Sequence, residues 1–116
     1  VATIEEALQT GMQAHQAGNL PAAEKIYKQV LQHSPQHPDA LHLLGLMAHQ
    51  VGKNQIAIDL IDAAIRVSPQ NPLYFNNYGE ACKALGKLEQ AEQAYRQATE
   101  MLLPPPTFGS TLAICC

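Results

Sequence analysis

Residues Pro38 to Asn71 read PDALHLLGLMAHQVGKNQIAIDLIDAAIRVSPQN, and every landmark in this stretch recurs on both sides of it. Gly45 is matched by Gly11 and Gly79, Gly52 by Gly18 and Gly86, and Ala57 by Ala23 and Ala91, each neighbour lying 34 residues away. Tyr27, Ile61 and Tyr95 keep the same lattice, as do Pro35 and Pro69, with Leu103 in the third proline slot and Pro104 one residue late. Unrelated residue types sharing one period mark a chain made of stacked, equivalent supersecondary units.

Each unit reads as two helices. Leu41, Leu44, Ala48 and Val51 have the spacing of one amphipathic helix, and Ile58, Ile61, Ala64 and Ile65 that of a second. Gly18, Gly52 and Gly86 are placed to stop the first helix of each unit, because glycine takes the left-handed conformation of a helix end without steric cost. Leu20-Pro21, Lys53-Asn54 and Lys87-Leu88 start the second, Pro21 being tolerated in a first turn that has no donor to lose. Pro35, Pro38, Pro69 and Pro72 punctuate the joins between units. Gly11, Gly45 and Gly79 lie inside the first helices, where glycine costs about 1 kcal/mol relative to alanine. Close approach of the paired helix is the expected reason.

With units numbered from Ile4, Pro38 and Pro72, the seventh and eighth places read Thr10-Gly11, Leu44-Gly45 and Tyr78-Gly79. The later apolar places read Ala23-Tyr27-Val30, Ala57-Ile61-Ala64 and Ala91-Tyr95-Ala98. This pattern resembles the tetratricopeptide repeat, TPR. The family's fourth-place aromatic appears only as Phe75, and its eleventh-place tyrosine is replaced by Ala14, Ala48 and Cys82. The resemblance implies an all-α fold, an α-solenoid (a right-handed superhelix) of three helix-turn-helix units over residues 4–37, 38–71 and 72–105. Pro106 falls on the lattice as well, so 106–116 is expected to be either a tail or a truncated fourth first helix.

In TPR arrays the first helices line a concave groove. Carried over place by place, that groove includes Leu8, Met12, His15, His42, Leu46, His49, Asn76, Asn77, Glu80 and Lys83, a mixed surface suited to a peptide. Family members that grip acidic chaperone tails use Lys, Arg and Asn at places occupied here by Leu8, Met12, Leu43, Leu73 and Asn77, so that partner is not expected. Asn76-Asn77-Tyr78-Gly79 is similar to the asparagine-bearing repeats fused to O-GlcNAc transferases and bacterial SPINDLY-like proteins, where an amide side chain holds a peptide backbone. Leu43 interrupts the pattern in the neighbouring unit, which leaves Asn76 and Asn77 as solvated groove residues by the plainer reading.

Composition narrows the function classes. The chain is 116 residues long, 47% hydrophobic and 15% charged, too apolar for disorder. A net charge of -3 with 7 Lys+Arg argues against nucleic acid, which needs a concentrated basic face. No run approaches the roughly 18 apolar residues of a membrane span. Cys82, Cys115 and Cys116 have neither zinc nor disulfide spacing, so a reducing cytoplasm is the expectation. Val1 in place of a methionine reads as the start of a piece cut or processed from a longer chain.

His15, His42 and His49 can share one groove, a pattern compatible with a metal or a pH sensor. No carboxylate or thiolate completes a ligand set, and no metal or cofactor is expected. Cys82, at a small-residue place, reads as inter-helix packing. Without a phosphate loop or a nucleophile beside a base, the chain reads as a non-catalytic scaffold for a peptide or partner protein. The alternative is the recognition fragment of a larger enzyme, such as a TPR-fused glycosyltransferase or sulfotransferase. Self-association through Leu112 to Cys116 is a third expectation.

Overall fold

The computed structural model describes residues 3–103. Six helices follow one another in the order α1 (Ile4–Gln16), α2 (Leu20–His33), α3 (Pro38–Gln50), α4 (Asn54–Val67), α5 (Pro72–Ala84) and α6 (Leu88–Leu102), with no strand among the described residues. They form three antiparallel pairs, and each later pair stacks on the one before through α2 against α3 and α4 against α5. The result is the all-α helical repeat that the period implies. The expected tail 106–116 lies outside the described residues.

The turn within each pair is made the same way three times. Gly18, Gly52 and Gly86 have φ of 84°, 85° and 80°. In the first turn the Gly18 amide donates to the His15 carbonyl and the Asn19 amide to that of Ala14; Gly52 and Lys53, then Gly86 and Lys87, repeat the arrangement. These are Schellman closures, which satisfy the last carbonyls of the first helix. The helix starts are more varied. Thr3 and Glu6 form a reciprocal capping box on α1. Asn19, His37 and Asn71 cap α2, α3 and α5 with their side chains, and Lys53 and Lys87 provide no side-chain cap.

The glycines inside the first helices are there for space. A Cβ on Gly11 would lie 2.6 Å from Tyr27 Cε1, one on Gly45 2.7 Å from Ile61 Cγ1, and one on Gly79 2.8 Å from Tyr95 Cε1. All three distances are shorter than real carbon contacts, so the paired helix approaches as closely as the bare backbone permits.

The core runs along the stack rather than sitting within each pair. Leu8, Tyr27 and Val30 of the first pair bury Ala40 and Met47 of the second, and Leu41, Ile61 and Ala64 of the second bury Tyr74 of the third. Cys82 is fully buried with Ala57, Ile58 and Ala81, as its place predicts, and burial pushes its thiol pKa up. α4 is covered by both α3 and α5, yet Ile56 and Val67 stay exposed on its outer side beside Asp59 and the Asp62–Arg66 ion pair. Such an exposed i,i+4 pair contributes a few tenths of a kcal/mol.

Candidate peptide groove

The first helices α1, α3 and α5 are tied to one another by side chains. His15 Nε2 donates to Gln50 Oε1 at 2.6 Å, Tyr74 Oη donates to Asp39, and Asn77 Nδ2 lies 2.6 Å from His42 Nε2. Each partner is 35 residues from its mate, one more than the repeat period. The second helices α2, α4 and α6 have no direct packing as close as that of α3 on α5, and a 3.5 Å hydrogen bond from Lys87 Nζ to Gln55 Oε1 links the starts of α4 and α6. A stack that is drawn together along its first helices and spread along its second helices curves around the first, so α1, α3 and α5 line the inner wall.

The expected groove residues divide by burial. Met12, Asn76, Glu80 and Lys83 are exposed, and His15, Leu46, His49 and Asn77 are half-buried. Leu8 and His42 are buried at 8% and 3% exposure, so they build the wall and offer little surface to a ligand. His42 is enclosed because the Tyr74 ring stacks on it at a centroid distance of 4.6 Å. Burial lowers the His42 pKa from 6.5, and the Asp39 carboxylate opposes that shift. Asn77 makes its hydrogen bond to a neutral imidazole nitrogen, so its amide nitrogen is already engaged.

The three histidines are separated into different bonds. His42 pairs with Asn77, His15 with Gln50, and His49 Nδ1 donates to Asn54 Oδ1 at 2.6 Å within its own unit. No group of three or more His, Cys, Asp or Glu stands at metal-ligating distance among the described residues. On the third pair, Tyr95 Oη donates to Glu80 Oε2 at 2.8 Å. Burial, followed by this bond and the charge behind it, pushes the Tyr95 pKa up to about 12.

Asn54 and Tyr74 were not among the expected groove residues. The signal for Tyr74 was present: a complementary polar residue one place beyond the repeat period from Asp39. The depressions among the described residues are open and shallow, and α1, α3 and α5 form an exposed wall of mixed chemistry along one side of the stack. These features define a helical-repeat protein of the α-solenoid class.

The comparisons place it within that class. A tetratricopeptide repeat model matches residues 14–76, and a second tetratricopeptide repeat model matches residues 73–101. The chain belongs to the tetratricopeptide repeat family. It is similar to a mutant O-GlcNAc transferase of Thermobaculum terrenum, with a TM-score of 0.83 and 29% identity over 88% of this chain and 21% of that one. It is also similar to the first TPR of Spaghetti (RPAP3) bound to an HSP90 peptide, with a TM-score of 0.81 and 20% identity over 96% of this chain and 86% of that one. The Sgt2 TPR domain from Aspergillus fumigatus superposes with a TM-score of 0.79 and 20% identity over 84% of this chain and 65% of that one. No curated protein matches the chain. No helix among the described residues is long and apolar enough to cross a membrane.

Proposed function

We propose that the chain is a non-catalytic interaction module that holds a peptide or partner protein along the wall of α1, α3 and α5. The observation that carries this reading is the exposed run Met12, Asn76, Glu80 and Lys83, continued by Leu73, on helices whose opposite sides are committed to the core. The wall mixes apolar contact with amide and charged groups, the combination that binds a backbone and discriminates side chains. Its charge comes from Glu5, Asp39 and Glu80 against Lys83. An acidic chaperone tail is therefore a poor fit, and a neutral or basic segment a better one.

Pull-down or a peptide array with Asn76→Ala and Lys83→Ala tests this, with Lys25→Ala on the outer helix α2 as the control. Loss of partner in the first two and retention in the third supports the groove. Equal binding by all three refutes it.

A second reading, that the repeats are the recognition part of a larger enzyme, is favoured by the 29% identity to the O-GlcNAc transferase, of whose length this chain spans 21%. Both readings assign the same work to these helices, and an α/β catalytic domain in the continuing reading frame distinguishes the second.

A further inference from the structure

The spread between the second helices creates a surface separate from the inner wall. At the first joint, the space between the starts of α2 and α4 is a trough of about 490 Å³. Leu44, Met47 and Val51 of α3 line it together with Leu20 of α2 and Ile56 of α4, and Val51 and Ile56 are 54% and 51% exposed. None of these residues belongs to the exposed run to which a partner is assigned above.

The equivalent space at the second joint has a different chemistry. Counting on 34 positions, Leu20 becomes Asn54, Ile56 becomes Gln90, Lys28 becomes Asp62 and Leu44 becomes the larger Tyr78. The depression there is about 340 Å³, and Asp62, Gln90, Gln93 and Gln97 are among its lining. The starts of its two second helices are also joined, through the bond from Lys87 to Gln55. At the first joint the same two places hold Lys53 and Pro21. Proline has no side-chain acceptor, so nothing spans the trough. The Lys53 ammonium makes no ion pair or hydrogen bond among the described residues, whereas Glu24, the acidic residue on the trough, is already held by Lys28 at 2.9 Å. An apolar trough with one unspent cation on its edge complements apolar side chains that stand beside a carboxylate.

We propose that this trough docks an acidic amphipathic helix of a partner protein, seating leucine or phenylalanine side chains on Leu44, Val51 and Ile56 and a glutamate or aspartate on Lys53. A groove between helices receives the apolar side chains that a helix presents at i and i+4. The unpaired lysine adds discrimination, because it favours a carboxylate and repels a cation at the same place. The change of sign between Lys28 and Asp62 then directs an acidic helix to the first joint and away from the second. This surface and the inner wall therefore take partners of different charge: the wall suits a neutral or basic segment, and the trough an acidic one.

The test is fluorescence anisotropy of the full-length chain with two sets of labelled synthetic helical peptides. Both sets carry leucine or phenylalanine at i and i+4; one is flanked by glutamate and the other, at the same positions, by lysine. The unaltered chain binds the glutamate set at least about tenfold more tightly than the lysine set. Lys53→Glu reverses that preference, and Ile56→Asp weakens the glutamate set by at least about tenfold. Both positions are exposed, and thermal melts confirm that the variants fold. Pro21→Gln supplies the acceptor that Gln55 supplies at the second joint, engages Lys53 and weakens the glutamate set by about threefold. Asn76→Ala and Lys83→Ala leave it unchanged. Equal binding of the two sets, binding of neither, or full binding by folded Ile56→Asp overturns the proposal. So does loss in Asn76→Ala or Lys83→Ala without loss in Ile56→Asp, which would assign the peptides to the inner wall. No outcome at Lys53, Ile56 or Pro21 bears on what that wall binds.

Discussion

Gly45 offers a test in which one substitution changes sign with its surroundings. Alanine there gains about 1 kcal/mol of helix propensity. Its Cβ, however, would stand 2.7 Å from Ile61 Cγ1, with the Ala57 carbonyl oxygen and Leu60 Cβ each at 3.2 Å. Ile61 is fully buried and cannot swing aside, so α3 and α4 must separate; overpacking of this kind costs about 1–3 kcal/mol. Gly45→Ala is therefore expected to destabilise the protein by up to about 2 kcal/mol in total. Ile61→Ala alone costs about 2–5 kcal/mol, because it removes buried carbons and leaves a cavity. In that background the atom that obstructs the new Cβ is gone, the two remaining contacts relax by a few tenths of an ångström, and Gly45→Ala becomes stabilising by about 1 kcal/mol. The expected coupling is about 1–3 kcal/mol, read from urea midpoints at unchanged slope. If Gly45→Ala costs the same in both backgrounds, close helix approach is not what selects glycine here.

Two further predictions concern buried polar groups. The folded chain keeps His42 neutral to a lower pH than the usual 6.5, so the unfolded chain binds the proton first. The His42 contribution is intact above pH 6.5 and is lost as pH falls below it, with a slope of at most about 1.4 kcal/mol per pH unit. Thermal melts between pH 8 and 5 should show a steeper acid loss for the unaltered chain than for His42→Gln, and parallel curves would refute the assignment. The Tyr27 hydroxyl is buried with no partner among the described residues, because Met12 takes in α1 the place that Glu80 takes in α5. Tyr27→Phe should stabilise the protein by about 1 kcal/mol, or roughly 4–8 °C in Tm, whereas Tyr95→Phe should give no gain. A clear loss in Tyr27→Phe would contradict the unmet hydroxyl.

The helix pairs were legible because repetition states each constraint three times. A glycine at a left-handed turn and a glycine beneath Tyr27, Ile61 or Tyr95 recur on the same lattice as the residues that require them. The capping box of Thr3 and Glu6 was equally local, and only a starting point set at Ile4 hid it. What the period could not give was the stagger between neighbouring helices. A repeat length fixes which residues are equivalent, but contact depends on how far one helix slides along the next. That slide turns equivalence at 34 into partnership at 35. The enclosure of His42 was hidden for the same reason, since it needs the Tyr74 ring and the Asn77 amide, both supplied by the following unit.

The same stagger explains why two joints of one geometry carry different chemistry. At the first joint the offset pairs Glu5 with Ala40, Leu8 with Leu43 and His15 with Gln50, so the hydrogen bond falls at the far end of the helices. At the second it pairs Asp39 with Tyr74, His42 with Asn77 and His49 with Ala84, so the bonds fall at the near end. Alanine gives His49 no acceptor, and the imidazole turns instead to Asn54 in its own unit. A half-buried polar ring that lacks its cross-unit partner must find another or lose about 1–3 kcal/mol of desolvation. His49 therefore braces the α3–α4 turn instead of the joint, which leaves the far end of the second joint, where Lys83 and Ala84 stand, to the exposed wall that the partner is proposed to meet.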